Sequence, residues 1–426
     1  MHISSLPNDY GIGKLGKEAY AFVDFLEKAQ QKCWQILPIS PTSYGDSPYQ
    51  SFSVHAGNPY FIDLEALEKE GYLKPAEYKD IEWGDDKGSV DYGKIYEVIF
   101  KVLRTAHKRF RKKPEKAYSK FVVENKDWIY DYALFMSLKF ANKGKAWYEW
   151  DEPLKMYKPK AIKSARKEYA NDIDFWCFVQ YKYFQQWKRL KAYANEKGIE
   201  IIGDIPIYVA YDSVEVWSTP QYFSLDKEKK PVEVAGCPPD AFTADGQLWG
   251  NPLYNWEYIA RDKFRWWVER IKAASDTYDV VRIDHFRGFE SYYCIPYGAK
   301  NAKKGKWRKG PDMRLFKEVR KQLGDVKIIA EDLGFLTKHV VKMLNASGYP
   351  GMKVLEFAFD SRDSSNYLPH TYTDHCICYT GTHDNSPLAL WRQEAKPEDI
   401  AYAQEYLALT EAEGFHWGVI RGGMSS

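Results

Sequence analysis

Six cysteines in 426 residues are too few for a disulfide framework in a chain of this size. Cys33, Cys177, Cys237, Cys294, Cys376 and Cys378 lie mostly in apolar contexts and make no Cys-x-x-Cys pair, so buried, reduced thiols are expected. No stretch approaches the roughly 18 consecutive apolar residues of a membrane span. Nor does the start of the chain carry a basic segment followed by an apolar core. A cytoplasmic protein without membrane attachment is the expectation. Charge of one sign is lacking too: 61 Lys and Arg against 59 Asp and Glu leave +2, so no global field draws nucleic acid, and a neutral partner is expected. Gly11-Ile-Gly13 lacks the third glycine and the full preceding strand of a dinucleotide fingerprint. The nucleophile elbow G-x-S-x-G is absent, as is any repeat of 20 to 50 residues. His285, His370 and His383 with Asp204 offer no His-x-His or His-x-x-x-His spacing, so neither a metal nor a cofactor is expected.

What the sequence does have is a recurring form: an apolar run delivering a carboxylate. Val280-Val-Arg-Ile-Asp284 is followed by His285, Arg287 and Gly288, Val326-Lys-Ile-Ile-Ala330 by Glu331 and Asp332, and Cys376-Ile-Cys-Tyr379 leads to His383 and Asp384. A fourth copy, Glu200-Ile-Ile-Gly-Asp204, lies upstream. Continuous Val/Ile runs separated by helical patterns predict parallel strands buried on both faces. In a (β/α)8 barrel, catalytic groups come from the C-terminal ends of several strands. The fold class expected is therefore α/β, a (β/α)8 TIM-type barrel with inserted, mostly helical subdomains.

In chain order, residues 1–56 read as the barrel start, with the tail of a first strand near His2 and a second strand over Cys33–Pro38. Residues 57–199 read as a mostly helical insertion: Ile95–Lys112, Lys116–Ala141 and Asp174–Lys197 are helical, and Glu149–Lys167 is a solvated connector. Residues 200–426 continue the barrel through strands three to seven. A lid insertion is read at about 213–255, rich in aromatics, Gly and Pro. Lys300–Lys309, six cations around Trp307, reads as a flexible loop, Trp256–Ala274 as a helix, and Met352–Phe359 as the sixth strand. Both ends read as cut short, with the first strand nearly missing and no eighth strand before Ser426.

Two or three carboxylates with aromatic platforms and no metal suit glycosidic bond cleavage. In its retaining form one carboxylate attacks the sugar carbon while a second, kept protonated, serves the leaving oxygen. The two need different surroundings. Asp284 between Arg282 and His285 suits the nucleophile, since cations hold a carboxylate ionised. Glu331, preceded by Ile328, Ile329 and Ala330, suits the acid/base. Asp384 with His383 suits the holding of ring hydroxyls and of the positive charge that develops on the sugar.

Tyr44-Gly-Asp-Ser-Pro-Tyr-Gln50, Asp240 through Trp249-Gly-Asn-Pro-Leu-Tyr254, Val281-Arg-Ile-Asp-His-Phe-Arg-Gly288, Ala330-Glu-Asp-Leu-Gly334 and Gly381-Thr-His-Asp-Asn385 together closely resemble the amylomaltases, the 4-α-glucanotransferases called disproportionating enzymes in plants. The resemblance runs through nearly the whole chain in order. It implies transfer of α-1,4-glucan segments between maltodextrins, or starch and glycogen fragments, without metal or cofactor. It also implies Asp284 as nucleophile, Glu331 as acid/base and Asp384 as transition-state stabiliser. Arg282, His285, His383, Ser47, Tyr49 and Asp204 match the polar groups around the reacting sugar, Trp249 the segment that closes over glucan, and Tyr44 and Tyr92 a remote glucan groove. The chain departs from the pattern at Ser386-Pro387 and at Ala241-Phe242, where relatives carry a tyrosine. An α-amylase-type retaining hydrolase and a catalytically incompetent glucan-binding fragment are the alternative readings.

Overall fold

Cys33–Gln35 (β1) and Glu200–Ile205 (β2) pair in parallel with Trp34 against Ile201, so the apolar runs form strands, though shorter ones than their sequence limits. In this computed structural model the described residues are all of 1–426 except Tyr44, Asp85, Lys87, 240–242, Phe335 and 361–366. They divide into two compact units, one of Met1–Val281 with Ser291–Val326, the other of Arg282–Glu290 with Lys327–Ser426.

In the first unit, residues 2–6 make a 3-10 turn over Ile3–Ser5 where the sequence suggested the tail of a strand. The helix Tyr92–Phe110 buries Ile95, Ile99, Val102, Leu103, Ala106 and Phe110, one face at the 3.6-residue period. Lys116–Ala141 is not one helix but two, Lys116–Glu124 and Lys126–Ala141, parted at Asn125, whose side chain turns back to the carbonyl of Phe121. The supposed connector Glu149–Lys167 holds helices at Glu152–Lys155 and Pro159–Glu168, the latter burying Ile162 and Ala165. Its lysines mask an amphipathic pattern of only two apolar anchors. The helix Ala170–Glu196 carries the fully buried Lys182, whose ammonium lies between Glu70 and Glu115. Such an amine is tolerable because both charges come with it.

The supposed lid and the basic loop are ordered by each other. Glu233–Cys237 (β3) pairs antiparallel with Gln247–Pro252 (β4) and, beyond the strand Val280–Ile283 (β5) in which the unit boundary falls, with Ser291–Pro296 (β6). Lys306–Lys309 (β7) extends this sheet antiparallel to β6, with Tyr293 opposite Trp307. Lys306 and Arg308 both pair with Glu233, so part of the cation run is held in a strand. Trp256–Ala274 is likewise two helices, Trp256–Arg261 and Arg265–Thr277, parted by left-handed Lys263 and Phe264.

Gly203 of β2 lies against the buried ring of Tyr278, where a Cβ would fall 2.2 Å from ring carbons. Gly203→Ala is therefore expected to cost about 1–3 kcal/mol through overpacking. Chemical denaturation reads it, and an unchanged midpoint and slope would refute the close approach.

In the second unit, Ile328–Ala330 (β8) follows, and Gly351–Val354 (β9) pairs in parallel with Cys376–Tyr379 (β10). The sixth strand thus ends at Val354, and Leu355–Phe357 is a 3-10 turn. The turn and the helices Pro397–Tyr406 and Phe415–Met424 supply a core of Leu355, Ala358, Phe359, Ala403, Leu407, Phe415 and Val419. Of the six thiols only Cys177 and Cys294 are buried; Cys33 is exposed and the rest half-buried, which corrects the expectation from apolar context. No helix among the described residues is long and apolar enough to cross a membrane.

Candidate active site

The second unit holds the three candidate catalytic carboxylates, which follow β5, β8 and β10. The N–H of Glu331 donates to the carbonyl of Ile283 at 3.0 Å, and the Glu331 carbonyl accepts from Phe286 at 2.9 Å, so the ends of β5 and β8 run side by side. Ala330 donates to the carbonyl of Pro350, which brings in β9, and β10 lies beside β9. Parallel strands put all their C-terminal ends at one edge, and that edge collects Asp284, Glu331 and the loop of His383 and Asp384.

Asp284 is paired through Oδ1 with Nη1 of Arg282 at 3.1 Å. The Arg282 side chain is 3% exposed and that of Asp284 28%, so the cation is buried and the carboxylate looks out. His285 does not act as a second cation, contrary to the sequence reading. Desolvation of the half-buried ring, with Arg287 nearby, lowers its pKa to about 3, so the imidazole is neutral. Its contribution is backbone: held left-handed at φ 50°, it aims its N–H at Glu331 Oε2, 2.7 Å away. A non-glycine residue in that region costs about 1 kcal/mol and persists where the surroundings impose it.

Glu331 accepts a second N–H, from Leu333 to Oε1 at 2.8 Å. Desolvation of the half-buried carboxyl is the largest influence and raises its pKa; Arg282 and the two N–H groups oppose it, and Asp332 adds a small push upward. Asp332 is turned away, as strand alternation requires, and accepts from Met352 N–H at 2.6 Å. On the β10 loop, Thr382 donates through N and Oγ1 to Asn385 Oδ1, both at 2.9 Å, and Asp384 N–H donates to Thr382 Oγ1 at 3.2 Å. This small cage presents Asp384, 72% exposed, with His383 Nε2 at 3.4 Å from its Oδ1.

The remaining candidates lie in the first unit. The Tyr49 hydroxyl donates to Asp204 Oδ2 at 2.6 Å, and Ser47 Oγ accepts from Tyr49 N–H at 3.2 Å. Tyr49 and Asp204, with Ser53, His55 and Arg270, line a cavity of about 60 Å³. Asp204 is buried inside β2 rather than beyond its end. Trp249 sits on β4, half-buried, its ring 6.2 Å from that of Tyr208. Tyr92 opens its helix with its ring 6.3 Å from that of Tyr60. Tyr44, Asp240 and Ala241-Phe242 lie outside the described residues. Among the described residues no group of three or more His, Cys, Asp or Glu is arranged to hold a metal ion.

Two features escaped the sequence reading. Asn385 and Thr382 shape the loop that carries Asp384, a role only the folded turn reveals. Glu356, taken as mid-strand, stands two residues past the end of β9, where Glu331 directly follows β8. The signal was the familiar form, an apolar run and then a carboxylate.

Comparison with known proteins gives the family. A family model described as 4-alpha-glucanotransferase, glycoside hydrolase family 77, matches residues 1–426. A 4-alpha-glucanotransferase of Clostridium butyricum is 51% identical over 428 residues, covering 100% of this chain and 88% of the relative. One from Thermus thermophilus is 44% identical, covering 100% and 86%. The solved amylomaltase of Streptococcus agalactiae, in complex with acarbose, superposes with a TM-score of 0.97 at 44% identity over 99% of this chain and 86% of that one. The fold is thus α/β, of the barrel type expected. The chain belongs to the 4-α-glucanotransferase family, the amylomaltases, and its activity is the transfer of α-glucan.

Proposed function

We propose that this transfer runs by retaining double displacement on Asp284 and Glu331, with Asp384 stabilising the transition state. The observation that carries the reading is the contrast between two carboxyls linked by one peptide: Asp284 faces outward on a buried guanidinium, while the adjacent His285 N–H holds a half-buried Glu331 whose proton affinity desolvation raises. Asp284 attacks the anomeric carbon as Glu331 gives its proton to the departing glycosidic oxygen, freeing one glucan and leaving the other as an ester on Asp284. Glu331, now a carboxylate, takes the proton of an acceptor hydroxyl, which attacks the same carbon and releases Asp284. Asp384 and His383 interact with sugar hydroxyls and the oxocarbenium charge.

Tyr49, Ser47, Asp204, Trp249 and Tyr92 belong to the same proposal as glucan-binding groups. The helical segment 57–199 and the segment at about 213–255 are read as insertions into the barrel. A cytoplasmic location suits the six free cysteines, two of them buried, and cell fractionation tests it.

Maltotriose separates transfer from hydrolysis. Glucose together with maltopentaose and longer chains is the expected product set, and glucose with maltose alone would establish a hydrolase. The stereochemistry is read separately, by NMR of the first product: net retention at the anomeric carbon is expected, and inversion would eliminate the covalent ester.

A further inference from the structure

Glu356 is a half-buried carboxyl with one enclosed oxygen that the proposed mechanism does not use. It stands between the strand end that carries Glu331 and the loop that carries Asp384. Its N–H donates to the carbonyl of Thr380 at 3.1 Å, and its carboxyl lies against Gly381, where a Cβ would fall 2.9 Å from Oε1 and 3.0 Å from Cδ and Oε2. Oε1 is buried and has no hydrogen-bond partner among the described residues. A buried carboxylate oxygen without a donor is costly, whereas a neutral carboxyl pressed on a glycine is far less so. No described charge answers it: Lys353 of its own strand lies over the Tyr367 ring, His383 and Asp384 of the facing loop contact each other, and Arg421 of the C-terminal helix pairs with Glu413. Burial alone raises its pKa to about 7.

We propose that Glu356 is a positioning residue for the transfer reaction: as a neutral carboxyl seated on Gly381 it sets the height of the Gly381–Asn385 loop and hence the placement of Asp384. The inference rests on the reading of Asp384 as transition-state stabiliser. Gly381 has no left-handed backbone that only glycine favours, so the carboxyl is the obstacle to a side chain there. An added methyl must push the carboxyl and the loop apart.

The test is a cycle of Gly381→Ala, Glu356→Ala and the double variant, assayed by maltotriose disproportionation. Gly381→Ala alone is expected to lower kcat about tenfold with KM within about twofold, and to cost less than about twofold once Glu356 is alanine. Equal costs in both backgrounds would overturn the proposal. Thermal unfolding against pH gives a readout that loop packing alone would not move. A raised folded pKa means stability is full below the unfolded value near 4.5 and lost as pH rises through about 7. The Tm advantage of Glu356→Gln over the native chain should therefore grow between those pH values and level off above; parallel curves would refute a neutral Glu356. Asp384→Asn separates the two readings. Activity surviving in it overturns the role of Asp384, whereas additive effects in an enzyme that Asp384→Asn silences overturn the role of Glu356.

Discussion

Asp284→Asn is expected to abolish disproportionation, by about 10⁴-fold or more in kcat, because an amide cannot form the glycosyl ester. The substitution keeps shape and removes charge, so maltodextrin affinity by calorimetry should stay within a few-fold. The structure also predicts a side effect. Arg282 is 2% exposed and keeps its charge when its partner at 3.1 Å loses its own, so the Tm should fall. The fall should be modest, since Asp284 itself is 28% exposed and water screens the pair. Transfer within tenfold of the native rate would remove Asp284 from the mechanism and, with it, the double displacement.

Glu331→Gln is expected to cost about 10³-fold with maltotriose, within the range of a lost general acid. Its diagnostic is the leaving group. α-Maltosyl fluoride departs without a proton, so the first half-reaction should recover while the second, which needs a base, stays slow. The ester on Asp284 should then accumulate and be visible in the mass of the intact protein. Both Glu331 oxygens accept backbone N–H groups, from His285 at 2.7 Å and Leu333 at 2.8 Å. A glutamine must turn its NH2 toward one of them, leaving a donor facing a donor at a cost of about 1–3 kcal/mol. A lower Tm therefore accompanies the kinetic loss. No gain with the fluoride over maltotriose would assign the proton to another group.

Legibility in the sequence followed the range of the forces involved. The carboxylate-tipped strands were readable because a parallel strand buried on both faces demands an unbroken apolar run, so the polar residue that ends it stands out. Asp284, Glu331 and Asp384 were singled out this way. The same rule hid Glu356, because Phe357, Ala358 and Phe359 prolong the run past Val354, and Ala358 and Phe359 turn out to serve the core of the second unit. The antiparallel sheet of β3, β4, β6 and β7 was unreadable for the opposite reason. Its strand Lys306–Lys309 is exposed along its length, and its cations answer Glu233 from far away in the chain.

The sequence by itself determined the fold class, the family and which carboxylates end the apolar runs, since apolar periodicity and ordered multi-residue motifs are local and survive without coordinates. Tertiary structure alone decided the state of those side chains. Whether His285 is a cation, which way Asp332 turns and why the Glu331 pKa is raised depend on desolvation and on backbone and charged groups brought in from distant strands. Desolvation is a property of the packed surroundings, and no run of neighbouring letters records it.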